Sequence, residues 1–174
     1  MRRLSLWVLL TLSVLTACTT QDSFREFDTS KHMQFVKDIF KKDIYWLVAT
    51  EEIPDFSVDK TFTYALPSED PKYWGKLISK VFYEKNEPIG FVSYYKKRPY
   101  RGVILFVSIK EEYKGKGYSK KLVKYACKEL KNMGCKSVEL VTRTNNIRAI
   151  NLYTGLGFKE YRRDEGFIDF EKKL

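Results

Sequence analysis

The chain has 174 residues, of which 44% are hydrophobic and 16% aromatic. It is therefore long enough for one domain with a buried core and is not intrinsically disordered. It carries 32 Lys and Arg against 22 Asp and Glu, a net charge of +10. The single histidine excludes a multi-histidine metal site, and three cysteines (Cys18, Cys127 and Cys135) exclude a disulfide scaffold.

The first twenty residues have the pattern of a secretory signal. Two arginines precede an apolar stretch from Leu4 to Ala17, which is shorter than the about 20 apolar residues of a spanning helix. The sequence LTAC, which ends in Cys18, resembles the lipobox of bacterial lipoproteins. The resemblance implies a signal peptide over 1–17 and a lipid such as palmitate on Cys18. We therefore expect a lipid-anchored protein of the bacterial cell envelope. An uncleaved anchor and a wrongly chosen start codon are the alternatives for the segment. The alternative locations are the cytoplasm and the cytoplasmic face of the membrane.

The segment before the domain and the first elements are less regular. Residues 19–30 are polar and are predicted to be a tether, so that the domain covers 31–174. Ser30 is the expected N-cap of a first helix, whose apolar residues from Phe35 to Phe40 have the spacing of one helical face. The apolar run 43–49 is too short to classify by its period, and 61–66 is predicted to be extended.

From residue 77 onwards the pattern alternates between strands and helices. Apolar runs at 77–84, 89–95 and 102–109 with short connections predict an antiparallel meander. A helix over 117–133, a strand over 137–142, a helix over 146–154 and two short strands within 158–174 follow. This order predicts an α/β (α+β) fold in which helices flank a mixed, mostly antiparallel sheet.

The junction between the strand 102–109 and the long helix has the residue types of a pyrophosphate site. Gly115 and Gly117 let the backbone turn tightly and approach an anion. The helix start adds unpaired N–H groups and a partial positive charge, and Lys114 and Lys116 add full charges. Neither a Walker A loop nor a dinucleotide fingerprint is present. An ordinary strand-to-helix turn is the alternative interpretation.

A second cluster lies at 145–158. Ala149, Leu152 and Tyr153 fall on one side of the predicted short helix, and Gly157 follows it. The small residue at position 149 allows that helix to lie close to the sheet. The alternative for Tyr153 is a half-buried core tyrosine.

Together the two clusters resemble the GCN5-related N-acetyltransferase (GNAT) family. The family's cofactor motif, Q/R-x-x-G-x-G/A, matches residues 114–119, with Lys114 and Ser119 as departures at its two ends. Lys keeps the positive charge but lacks the planar guanidinium fork. The later motif, N-x-x-A-x-x-L-Y-x-x-x-G-F, matches from Asn146 to Phe158 in full.

The resemblance implies an N-acetyltransferase that uses acetyl-CoA and no metal. Backbone N–H groups of Lys114, Gly115, Lys116, Gly117, Tyr118 and Ser119 would hold the pyrophosphate. Val107 and Ile109 would pair with the pantetheine arm, and a main-chain N–H on their strand would polarise the thioester carbonyl. Asn146 would support the cofactor arm or a water. An amine would attack directly, and the Tyr153 hydroxyl would protonate the departing thiolate.

Several assignments remain open at this level. Glu84, Glu111, Glu112 and Glu139 are candidates for the general base, and a water chain is the alternative. The acceptor is a small-molecule or protein amine, and no nucleic acid is expected. A non-catalytic CoA-binding or interaction module on a GNAT scaffold in the envelope is the second hypothesis, because acetyl-CoA is a cytoplasmic compound.

Other residues have ordinary structural interpretations. His32 is expected at the surface, and Cys127 and Cys135 are expected to be small apolar fillers rather than zinc ligands. Lysines at 120, 121, 124, 128 and 131 occupy the polar face of the long helix. Their charge suits solvent, a polyanionic cofactor or anionic lipid headgroups.

Overall fold

The structure is a computed structural model that describes residues 23–49, 53–63 and 77–174. The strands there are β1 (Ser23–Glu26), β2 (Ile78–Glu84), β3 (Glu87–Arg98), β4 (Arg101–Ile109), β5 (Ser137–Arg143), β6 (Lys159–Arg163) and β7 (Phe167–Lys173). The α-helices are α1 (Thr29–Leu47), α2 (Val58–Thr63), α3 (Tyr118–Asn132) and α4 (Ile147–Gly155), and a 3-10 turn spans Glu111–Tyr113. The predicted signal peptide and Cys18 lie outside the described residues.

The strands form one sheet in the order β1-β2-β3-β4-β5-β7-β6. Every neighbouring pair is antiparallel except β4 and β5, which run parallel. The prediction of a mixed, mostly antiparallel sheet flanked by helices is therefore confirmed.

Helix α3 covers one face of the sheet. Its buried side chains, Leu122, Val123, Ala126 and Leu130, recur at helical spacing and pack into the larger core. The helix lies so close to β4 that a Cβ on Gly102 would stand 2.6 Å from a methyl carbon of Leu130. A glycine in this strand is therefore what allows the helix to approach.

Helices α1 and α2 cover the opposite face with an aromatic core. Phe40 of α1 and Phe62 of α2 lie within 6.0 Å of each other, measured between ring centroids, and both pack on Phe91 and Phe106 of the sheet. The packing of the half-buried Phe62 on these rings explains why 58–63 is helical, whereas 61–66 was expected to be extended. Ser57 also accepts a hydrogen bond from the backbone N–H of Lys60.

Two expectations near the start of the domain are wrong. The segment expected to be a tether contains β1, which pairs with β2 from Ser23 to Glu26, because the half-buried Phe24 packs between Phe82 and Tyr125. The N-cap of α1 is Asp28, whose carboxylate accepts from the backbone N–H of Ser30, and not Ser30 itself.

Within the described ranges, no helix combines the length and the apolar composition needed to cross a bilayer. The longest of them, α1, instead carries buried residues on one side and exposed polar residues on the other.

Candidate active site

The sheet divides between β4 and β5. These strands pair only over three positions, from Arg101 opposite Ser137 to Val103 opposite Glu139. A bulge in β4 follows, because Phe106 and Ile104 pair with adjacent residues of β3 and leave Leu105 as the extra residue. Beyond that point the two parallel strands are no longer paired, so a gap opens inside the sheet towards their C-terminal ends.

The backbone of β4 faces this gap at Val107 and Ile109. The N–H of Lys110 donates to the carbonyl of Ile89 in β3, with an N···O distance of 2.8 Å. Peptide groups alternate sides along a strand, so those of residues 107 and 109 face away from β3. An extended ligand in the gap would find the donors and acceptors of a strand edge there.

The glycine turn lies at the open end of the gap and leads into α3. Gly115 and Gly117 have φ angles of 81° and 83°, a left-handed conformation that favours glycine. A Cβ on either residue would meet nothing within 4 Å, so the space above the turn is open. Gly117 caps α3 without a side-chain hydrogen bond.

The first N–H groups of a helix have no partner within the helix. The backbone N–H groups from Gly115 to Lys120 donate no hydrogen bond to any described residue outside α3. These donors, the helix dipole and the free space above the glycines together form a site suited to a phosphate group.

Lys114 does not contribute a free charge to this site. Its ammonium lies 3.0 Å from both carboxylate oxygens of Asp43 and 2.7 Å from Glu111. Lys116 is exposed, and its ammonium stands 4.9 Å from the ring centroid of Tyr113. Of the two motif lysines, Lys116 is therefore the exposed one.

The other two residues of the predicted cofactor motif start α3. Tyr118 donates from its hydroxyl to Glu84 at the end of β2, and its ring lies 5.7 Å from that of Phe82. Ser119 is half-buried in the first turn of the helix. Their contribution to an anion site is thus the backbone N–H, since the Tyr118 side chain packs against the sheet.

Tyr153 of α4 is buried, with 9% of its surface exposed. Its ring packs near Phe158 and Phe170, and burial raises the pKa of Tyr153 to about 12. Among the described residues its hydroxyl has no hydrogen-bond partner, yet no fully buried polar side-chain atom there lacks one. The hydroxyl therefore reaches accessible surface while the ring is enclosed.

Asn146 has a structural role at the start of α4. It is the N-cap of α4, and its side-chain oxygen accepts from the backbone N–H of Ala149 at 3.2 Å. This bond fixes the start of the helix that carries Tyr153. The predicted contact with a cofactor arm would have to use the remaining amide NH₂ group.

The four candidate bases are scattered. Glu84 accepts from Tyr118, and the hydrogen bond with Lys114 lowers the pKa of Glu111. Glu139 is buried and ion-paired with Arg101 at 2.7 Å. Glu112 is exposed on the 3-10 turn. The structure does not bring these carboxylates together at the gap.

One carboxylate near the site was not predicted. Asp43, in the last part of α1, accepts from Ser108 of β4 at 3.0 Å as well as from Lys114. Neither the apolar run 43–49 nor the predicted strand 102–109 indicates in the sequence that these residues meet.

The end of α1 also reaches the other side of the gap. Arg143, the last residue of β5, donates to the backbone carbonyls of Tyr45 and Val48. Asn145 donates from its amide to the hydroxyl of Tyr45 at 2.9 Å. The last turn of α1 thus bridges the two diverging strands, with Asp43 on the β4 side and Tyr45 on the β5 side.

The remaining expectations concern His32 and the cysteines. His32 is buried rather than exposed, because Nδ1 accepts from the backbone N–H of Asp28 and Nε2 lies 2.9 Å from the Tyr83 hydroxyl. Cys127 is half-buried and Cys135 buried, both as free thiols. No group of His, Cys, Asp or Glu in residues 23–49, 53–63 and 77–174 is arranged to hold a metal ion.

The divided sheet and the glycine turn define an α/β protein with a site for an extended, phosphate-bearing ligand. The sequence profile of the acetyltransferase (GNAT) family matches residues 34–158. The chain belongs to this family.

Curated relatives match over part of their length. N-alpha-acetyltransferase 30 of Saccharomyces cerevisiae is 36% identical over 63 residues, which are 36% of this chain and 36% of that protein. The uncharacterized N-acetyltransferase YvbK of Bacillus subtilis is 32% identical over 73 residues, 42% of this chain and 47% of that one. The chain thus spans about a third to a half of the curated relatives it matches.

Solved structures share the fold over most of the chain. The PaiA N-acetyltransferase of Thermoplasma acidophilum, in complex with coenzyme A, superposes with a TM-score of 0.68 at 18% identity over 88% of this chain and 99% of that one. A chain of the NatC complex, bound to Gag peptide and CoA, gives a TM-score of 0.66 at 24% identity over 88% and 99%.

Proposed function

We propose that the protein transfers the acetyl group of acetyl-CoA to an amine by direct attack, without a covalent enzyme intermediate. The observation that carries the proposal is the continuity of the gap and the glycine turn. The unpaired edge of β4 leads directly to the unpaired N–H groups before α3. Such a path suits a ligand with an extended arm at one end and a diphosphate at the other.

The residues present fit acetyl-CoA. The N–H groups of residues 115–119 would hold the diphosphate, with Lys116 as the nearby charge. The peptide groups of Val107 and Ile109 would pair with the pantetheine arm. The coenzyme supplies a thioester, which is an activated acetyl group. An N–H of β4 that faces the gap would polarise the thioester carbonyl.

Tyr153 is proposed as the general acid. Its hydroxyl is the acidic group of the second motif and, with the pKa raised to about 12 by burial, it holds its proton throughout the neutral range. Oη would give this proton to the sulfur as the carbon–sulfur bond breaks, and the phenolate would then take up the proton that the attacking nitrogen loses, so that the products are the acetylated amine and free CoA thiol. Asn146 positions Tyr153 through the cap of α4.

The acceptor amine is proposed to enter from the α1 side of the sheet. Val141 lies in β5, an interior strand, and is nevertheless 54% exposed. Tyr45 and Trp46 at the end of α1 are also exposed. The exposed Val141 side chain and the two aromatic side chains form an apolar surface, which suits a small-molecule or peptide amine whose neighbouring groups are apolar.

A pair of glycine variants tests the coenzyme site. Gly117→Ala and Gly134→Ala change two residues with the same φ of 83° and the same open space around a Cβ, at opposite ends of α3. Both should lose similar stability. Only Gly117→Ala should weaken acetyl-CoA binding, by about tenfold or more, because its methyl group lies where the diphosphate must approach.

Calorimetry on the full chain in detergent measures the binding, and release of free CoA with a panel of amines measures turnover. Equal binding by the two variants would contradict the site. Binding without turnover on any amine would favour a non-catalytic CoA-binding module. Absence of binding would overturn both functions.

We also propose that the N-terminal segment attaches the protein to a membrane. The supporting observations are the two arginines, the apolar run Leu4–Ala17 and Cys18. Incorporation of a radioactive fatty acid in cells should depend on Cys18 and disappear in Cys18→Ser. A label that persists in the variant, or that is never incorporated, would contradict lipidation.

A further inference from the structure

The exposed face of α3 carries a row of lysines. Lys120, Lys124, Lys128 and Lys131 are all exposed and follow one another at intervals of four, four and three residues, so they lie on one side of the helix. We call them the α3 lysine row. Glu129 is the single acidic residue of α3. Within the described part of the chain, no ion pair involves any of the four lysines.

The N-terminal segment meets the domain beside this helix. Ser23 begins β1, and the ring of Phe24 stacks on that of Tyr125 in α3 with a centroid distance of 3.8 Å. Cys18 is five residues before Ser23. Five residues span at most about 18 Å when fully extended, which is roughly one and a half times the about 10–12 Å diameter of a helix with its side chains.

We propose that the α3 lysine row docks on an anionic lipid bilayer. This inference rests on the proposed membrane attachment, and it holds for a lipidated Cys18 and for an uncleaved apolar segment alike. In both cases the bilayer surface must lie within the short reach of the chain that enters at β1. Phe24 of β1 packs on the face of the sheet that α3 covers, so the point at which the chain enters the domain lies next to α3.

The charge of the α3 lysine row favours the same orientation of the domain on the bilayer. Lysines near an anionic lipid surface are attracted within about a Debye length. The opposite side of the molecule carries α1 and the acceptor entrance proposed at Val141, where a docked bilayer would block an amine. Docking through α3 leaves that entrance free and places the start of α3 close to the lipid headgroups.

Lysine reactivity on vesicles tests the orientation without a variant. The full chain is reconstituted in phosphatidylcholine vesicles, with or without a third of phosphatidylglycerol, and treated with an amine-reactive reagent that mass spectrometry reads at each lysine. On the anionic vesicles the reactivity of the α3 lysine row should fall by about fivefold or more and recover in 1 M salt. Lys159 and Lys173, exposed on β6 and β7, are the internal controls and should not change.

A charge-matched pair of variants extends the test. In one, the four lysines of the row are replaced by Gln, and in the other Lys41, Lys60, Lys159 and Lys173, which are also exposed, are replaced by Gln. The reactivity of Lys116, which lies just before α3, is the measure of docking in both variants. Its protection on anionic vesicles should be lost in the first variant and retained in the second.

Three results would overturn the proposal. The α3 lysine row would react equally on both kinds of vesicle, or be protected on both regardless of salt, or be protected by a DNA duplex and not by vesicles. Acetyl transfer measured on the same samples separates this outcome from the proposed activity, because an inactive protein can still dock and an active one can fail to.

Discussion

Lys114 Nζ lies 3.0 Å from each carboxylate oxygen of Asp43, which is 71 positions away in the sequence. The same carboxylate accepts from Ser108 Oγ. Burial opposes the charge of Lys114, but its hydrogen bonds with Glu111 and Asp43 outweigh that effect and raise the pKa of Lys114. Helix α1, strand β4 and the start of the glycine turn are therefore joined at one carboxylate.

Asp43→Asn should loosen this junction. The amide keeps the shape of the side chain and can still accept from Ser108, but the charge that faces Lys114 is lost. Hydrogen bonds to charged groups contribute about 1.5–3 kcal/mol, so we expect the free energy of unfolding to fall by about that amount. Urea denaturation measures it. Coenzyme affinity should also fall, because the turn is held less firmly.

Glu111→Gln is the matched control, since it removes the other carboxylate on Lys114. The Glu111 side chain is 67% exposed, whereas that of Asp43 is 14% exposed. Exposed pairs contribute about 1 kcal/mol or less, so this variant should stay close to the wild type. A loss as large as that of Asp43→Asn would show that the buried carboxylate has no special role.

Tyr153→Phe should separate catalysis from folding. The hydroxyl has no hydrogen-bond partner among the described residues, and the ring packing is unchanged, so stability and CoA binding should remain near wild type. Acetyl transfer should slow by about 10²–10⁴-fold, the usual contribution of a general acid. Tyr161→Phe, on exposed β6, is the control. An unchanged kcat in Tyr153→Phe would remove Tyr153 as the acid.

The pH profile gives an independent check on Tyr153. A general acid acts in its protonated form, so its activity is lost as the pH rises through its pKa. Because burial raises the pKa of Tyr153 to about 12, kcat should show no decline from this group up to pH of about 10, near the ordinary pKa of a tyrosine. Stopped assays at saturating substrate measure the profile. A decline below that pH that is absent from the residual activity of Tyr153→Phe would show that burial does not raise the pKa of Tyr153.

The later half of the fold follows closely from the sequence pattern. Helix α3 and strand β5 lie within one residue of their predicted ends, because apolar periodicity and glycine ends coincide there. Strand β1 was missed because its four residues are mostly polar and only Phe24 enters the core. The end of α1 could not be classified because Asp43–Leu47 has no helical period of its own and is ordered by contacts with β4 and β5.

The candidate site also has some residues that the sequence predicts and others that it does not. The two glycines and Tyr153 belong to local motifs, so the sequence alone indicates them as candidates. The pairing of Asp43 with Lys114 depends on tertiary folding across 71 positions and leaves no local pattern. Asn146 belongs to its motif but caps α4, and a motif match alone does not distinguish a capping residue from a ligand-binding one.

His32 should make stability depend on pH in a way that can be isolated. Its Nδ1 accepts from the backbone N–H of Asp28 at 2.8 Å, so in this neutral state Nε2 carries the proton and donates to the Tyr83 hydroxyl. Protonation of Nδ1 would replace that acceptor by a donor. Burial lowers the pKa of His32, and the cation of Lys31 adds to the effect against the opposing carboxylate of Asp28.

Proton linkage determines whether the stability rises or falls with pH. The unfolded chain, with a histidine pKa of about 6.5, binds a proton before the folded chain does. Stability is therefore complete above that pH and is lost as the pH falls below it, by at most about 1.4 kcal/mol per pH unit for one proton. The chain has a single histidine, so between pH 7 and 5 this slope belongs to His32. Urea unfolding at several pH values should show it in the wild type and not in His32→Gln, although the variant is less stable at every pH. Equal slopes in the two proteins would mean that His32 is protonated equally in the folded and unfolded chain.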